Sequence, residues 1–211
     1  MSSKRLSDPA VDLHDLPRID LILLSHYHER DLPIITTPHA KERLNSKKQD
    51  SFTSVSTLNP FEQIEVHIEG TEGPGQPRLR VTGMPGKYVP PNRMVEKLNT
   101  LANVFPPSNG WMLELGYGSP NTAHFSCGYR IYISGDTLVG DELHKIRKRY
   151  AGQRIDLMLA YYSFSLTLIV TMDAEQGLPL IQLIQPDITI PIHYDDYDVF
   201  ASPLEDFRRI V

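Results

Sequence analysis

Short apolar, β-branched runs alternate with amphipathic stretches along this chain, and no other feature limits its fold as much. Runs bounded by turn residues predict strands over 19–25, 34–37, 63–68, 79–83, 111–115, 129–134, 155–160 and 188–192. Apolar residues return at helical spacing over 38–44, 94–104, 141–150, 173–184 and 203–210. In the second of these they are Met94, Val95, Leu98, Leu101 and Ala102. The third opens on Asp141 and Glu142 and closes on Arg147, Lys148 and Arg149 before Gly152, the order of charge that complements a helix dipole. That basic cluster reads as a solvated face. Strands and helices interleaved in this way pack in layers, so the chain is expected to be α/β with helices covering sheets. No repeat, low-complexity tract or linker divides the 211 residues, and a single domain over 1–211 is expected.

Charge and cysteine usage narrow the function classes. A formal net charge of −5 removes the long-range attraction to phosphate backbones on which non-specific nucleic-acid binding depends. The lone cysteine, Cys127, allows no internal disulfide and fits a reducing compartment, where it reads as a small buried apolar residue. The first 18 residues hold no apolar run of signal-peptide length, so a cytoplasmic location is expected. The longest uncharged run, 157–172, carries Ser163, Ser165, Thr167 and Thr171 and is too short and polar for a bilayer span.

Chemistry-bearing residues gather where strands end. Ser25-His26-Tyr27-His28 follows the first apolar strand, and in extended backbone residues two apart point the same way, so both imidazoles reach one ion. The 129–134 strand ends in Gly135-Asp136-Thr137, and the 188–192 strand ends in His193-Tyr194-Asp195-Asp196. Taken singly, these are a polar loop, a turn and a surface histidine. Taken together, three strands presenting imidazole or carboxylate at one end form the pattern that a zinc, iron or manganese pocket requires. His14, His67, His124 and His144 sit among polar neighbours and read as surface residues, and His39 as structural. Trp111, Tyr161 and Tyr162 read as core or pocket wall.

Four segments in this order resemble the metallo-β-lactamase superfamily, in particular the branch similar to L-ascorbate-6-phosphate lactonase and N-acyl-phosphatidylethanolamine phospholipase D. They are LILLSHYH (21–28), TGMPGK (82–87), YRIYISGDT (129–137) and ITIPIHY (188–194), and the resemblance runs over 18–211. It implies an αββα sandwich with metal at the edge between the sheets, where a metal-bound hydroxide attacks a lactone, ester, amide or phosphodiester of a small-molecule substrate. By the same resemblance His26, His28, Asp136 and His193 are metal ligands, with Asp136 bridging and catalytic; Asp31, expected as a second catalytic carboxylate, and Glu29 are makeshift partners that this chain itself offers.

The chain also departs from the family pattern. Arg30 and Asp31 stand where the His-x-His-x-Asp-His motif continues with Asp and His, and Tyr88 stands where the branch carries a third histidine. The surviving ligands favour one ion, Zn or else Mn or Fe, over two. Only residues 29–33 separate the motif from the next strand, fewer than the roughly ten to twelve of a parallel crossover, so the helix after the His-x-His loop is expected to be missing. N-terminal strands of the first sheet are expected to be missing too, leaving an edge open to a second copy of the chain. The alternative reading is a non-catalytic relative that binds a ligand or partner.

Overall fold

The protein is described from a computed structural model covering residues 8, 11–24, 34–45, 54–68, 75–87, 107–118, 124–162, 172–194 and 203–210. Among the described residues there are nine strands: β1 (Ile22–Leu23), β2 (Ile34–Thr36), β3 (Val55–Thr57), β4 (Gln63–His67), β5 (Gln76–Pro85), β6 (Asn109–Gly118), β7 (Phe125–Ile133), β8 (Leu157–Tyr161) and β9 (Ile188–Ile192). The helices are α1 (Pro38–Asn45), α2 (Asp141–Arg149), α3 (Ala174–Ile184) and α4 (Leu204–Ile210), with a 3-10 turn at Leu13–Asp15. No helix among these residues is long and apolar enough to cross a membrane.

Two sheets form. In the first, β1-β2-β3 are all parallel, with Ile22 opposite Ile34 and Ile34 opposite Val55. The second runs β4-β5-β6-β7-β8-β9, antiparallel as far as β7 and parallel from β7 to β9. Alternation of side chains along the second sheet serves two cores. Val81 and Trp111 point to one face and meet Ile35 and Leu58, with Leu21 and Leu23 packed alongside, which closes the space between the sheets. Met84, Met112, Tyr132 and Met158 point to the other face and are covered by Leu143 and Ile146 of α2, Leu180 and Ile184 of α3, and Phe207 of α4. The buried positions of α2 and α3 follow the three- and four-residue spacing that an apolar stripe requires. Asp173 caps α3, its carboxylate accepting from the Gln176 N–H at 2.8 Å.

The strands differ from the apolar pattern for physical reasons. β5, β6 and β7 extend well beyond 79–83, 111–115 and 129–134 because antiparallel pairing continues through the polar and glycine residues at their ends, from Gln76 opposite Gly118 to Pro85 opposite Asn109 and on to Phe125 opposite Gly118. Glu65, Arg80, Glu114 and Arg130 stand directly opposite one another across β4 to β7. Arg80 meets Glu65 at 2.8 Å, and Arg130 meets Glu114 at 2.9 Å. Opposite charges in cross-strand register stabilise a sheet, and this ladder does so inside the expected runs themselves. β3 escapes the apolar criterion because Val55-Ser56-Thr57 holds one aliphatic residue; only pairing with β2 makes it a strand. The first strand is confined to Ile22–Leu23, and β8 begins at Leu157 because Asp156 turns its carboxylate to the Arg130 N–H at 2.7 Å. Cys127 is half-buried on β7 rather than buried, with Sγ donating to the Tyr129 carbonyl at 3.5 Å. The helix expected over 94–104 and the missing helix expected after residue 28 fall outside the described residues.

Candidate metal centre

Parallel pairing of β7, β8 and β9 brings their carboxyl ends to one edge of the second sheet, where α/β folds place their ligands. β7 leaves the sheet through Ser134-Gly135-Asp136-Thr137. The buried Ser134 hydroxyl donates to the Gly135 carbonyl at 3.0 Å and accepts the backbone N–H of Tyr161, the last residue of β8, also at 3.0 Å. Gly135 adopts φ 61°, a left-handed conformation for which the absence of Cβ is an advantage, and the chain reverses to bury Asp136. Thr137 then accepts the Lys87 N–H at 2.8 Å, and the Leu138 N–H donates to the Lys87 carbonyl at 2.8 Å. The turn after β7 is thereby laced to the loop after β5.

β9 delivers the other half of the pair. Its ladder ends where Tyr162 N–H donates to the Ile192 carbonyl at 3.0 Å, and the next residue, His193, takes φ 63°. A non-glycine residue held in this region marks a position that the surroundings over-determine, and such positions cluster at functional sites. His193 Nδ1 lies 3.9 Å from Asp136 Oδ1. The imidazole also faces the Tyr161 ring, with centroids 5.3 Å apart and planes at 44°. Burial pushes the Tyr161 phenol above its ordinary value, and the negative charge of Asp136 adds to the rise.

This pair fits a divalent cation. Asp136 is 5% exposed, and its Oδ1 is buried without a hydrogen-bond partner among the described residues. A buried acceptor left in that state is unfavourable unless something electropositive meets it. The 3.9 Å gap to His193 is too long for a hydrogen bond and short enough to be spanned by two ligand bonds of about 2.1 Å each. Carboxylate oxygen and imidazole nitrogen form a donor set suited to zinc, iron or manganese.

Of the residues expected at the site, Asp136 and His193 are brought together. His26, His28, Glu29, Arg30, Asp31 and Tyr88 lie outside the described residues. No set of three histidine, cysteine, aspartate or glutamate side chains with metal-binding geometry occurs among the described residues. Tyr161 reads from sequence as core or pocket wall, and its sequence signal is only that it ends the strand lying between the two that carry Asp136 and His193. Tyr162, by contrast, is core: its ring lies 4.8 Å from that of Phe207.

No family model matches the chain. It is 33% identical over 84 residues to a UPF0173 metal-dependent hydrolase of Methanosarcina mazei, a match that covers 40% of this chain and only about a third (34%) of that relative's length. A UPF0173 metal-dependent hydrolase of Nanoarchaeum equitans is 24% identical over 209 residues, 98% of this chain and 83% of the relative. Among solved structures, an isothiocyanate hydrolase from Delia radicum gut bacteria superimposes with a TM-score of 0.68 at 15% identity, over 95% of this chain and 72% of that one. A metallo-β-lactamase fold protein from Bacillus subtilis superimposes with a TM-score of 0.51 at 13% identity, over 90% and 70% of the two chains. Both likenesses span nine-tenths or more of the residues, and with two facing sheets and helices packed behind them this chain has the metallo-β-lactamase fold.

Proposed function

We propose that the chain is a metal-dependent hydrolase in which Asp136 and His193 hold a divalent cation together with His26 and His28. The observation that carries this reading is the buried, unpartnered Asp136 Oδ1 lying 3.9 Å from the His193 imidazole at the carboxyl ends of parallel strands. The name metal-dependent hydrolase borne by two relatives supports it. A bound cation supplies Lewis-acid polarisation of the scissile group and acidifies a coordinated water. The protein's own contribution is to fix the donors. Ser134 and Thr137 hold the Asp136 turn against β8 and the β5 loop, so the carboxylate does not have to be ordered when the ion arrives. Asp31 is the proposed further carboxylate.

Zinc is the proposed ion, with manganese or iron as substitutes, and one ion per chain is proposed rather than two, because four protein donors do not fill two spheres. The proposed substrates are small lactones, esters, amides or phosphodiesters, as in the branch that contains the lactonase and the phospholipase. Elemental analysis of protein purified without a chelating tag, followed by assays on a lactone and a phosphodiester panel, tests the reading. One ion per chain and hydrolysis lost in both Asp136→Asn and His193→Ala is the expected result. A chain that takes up no metal, or hydrolysis that survives both changes, would overturn it.

A further inference from the structure

Between Asp136 and His193 stands Tyr161, and we propose that it is the positioning residue of this site, an inference that rests on the metal-centre reading above. β8 is flanked by β7 on one side and β9 on the other, and Tyr161 is its final residue, in register with Ile192 and so beside His193. Its two ends reach the two halves of the pair. The backbone N–H donates to Ser134 Oγ, two residues before Asp136, at 3.0 Å. The ring meets the His193 imidazole at 5.3 Å and 44°, inside the range of favourable tilted aromatic pairs.

The β9 ladder stops at Ile192, and φ 63° turns the His193 backbone out of the strand, so the regular sheet does not set the direction of its side chain. An aromatic face against the imidazole restricts the ring to the orientation in which Nδ1 points to Asp136 Oδ1. Groups that orient ligands in this way typically change metal affinity ten- to a hundredfold when removed. Tyr161 thus acts through His193 and through the Ser134 tie, and the ring rather than the hydroxyl carries the effect.

The test compares Tyr161→Leu and Tyr161→Phe in the full chain, by zinc titration calorimetry and by nuclear Overhauser contacts from the His193 ring to the Asp136 turn in metal-free protein. Tyr161→Leu is expected to weaken zinc binding tenfold or more and to lose those contacts, whereas Tyr161→Phe stays within about threefold and keeps them. Tyr161→Met, which also removes the ring, serves if the leucine variant does not melt cooperatively. Unchanged zinc affinity with those contacts kept in Tyr161→Leu would overturn the inference. An unsubstituted chain that binds no zinc would overturn the metal reading, and the His193 contacts would still decide whether Tyr161 orients that ring.

Discussion

Removing the Asp136 carboxylate is expected to stabilise the metal-free protein and to abolish its stabilisation by zinc, a reversal that an ordinary core residue would not produce. The magnitudes follow from the site. Asp136 is 5% exposed and its Oδ1 is buried without a hydrogen bond among the described residues. An unsatisfied buried acceptor costs roughly 1–3 kcal/mol, and more when charged. Truncation to alanine deletes three heavy atoms at a sheet edge, for which a cavity and contact loss of about 1 kcal/mol is a fair charge. Asp136→Ala should therefore gain up to about 2 kcal/mol without metal, which for a chain of this length raises Tm by up to about 8 °C. Zinc at a hundred times its dissociation constant stabilises the unsubstituted protein by about 2.7 kcal/mol. The order of stability should then invert, with the variant above the parent in chelated buffer and below it in zinc. Differential scanning calorimetry in metal-stripped buffer, with and without zinc, measures both arms. A variant that is less stable without metal and still shifts with zinc would refute the reasoning, because Asp136 would then be a satisfied structural carboxylate outside the metal's reach.

Gly177→Ala should destabilise by about 2 kcal/mol despite the helix propensity of alanine, because a Cβ there would stand 2.0 Å from Tyr162 Cε1; urea melts should show Tyr162→Leu recovering much of the loss in the double variant. Glu65 is held below the ordinary glutamate value of 4.5 by its hydrogen bond to Arg80, with Arg78 adding to the effect. Its contribution is therefore fully present above that value and is lost as pH falls through the depressed one. Glu65→Gln should cost about 1–3 kcal/mol near neutrality, and the gap between the two melting curves should close below about pH 4.5. Tyr88→His changes the residue next to Lys87, whose backbone is tied on both sides to the Asp136 turn, and should tighten zinc binding more than tenfold by titration calorimetry. Equal affinity would mean that position 88 faces away from the ion.

What can be read from the sequence is what a short stretch of chain settles by itself. The acidic start and basic end of α2, the apolar stripes of α2 and α3, and the β-branched run of β9 are local, and each element lies within a residue or two of its expected place. Asp136 and His193 stand out for the same reason, as polar residues set immediately after apolar strands. Pairing decided the rest. The ends of β5, β6 and β7 outside their apolar runs, Arg78 among them, belong to strands because antiparallel partners from distant segments pair with them, and Val55–Thr57 is a strand because β2 lies beside it. Tyr161 reaches the site because β8 lies between β7 and β9, and Lys87 because a threonine fifty residues away accepts its N–H. Periodicity along a chain records which way each side chain points, whereas the identity of the neighbour it points to is set only when strands far apart in sequence come together in register.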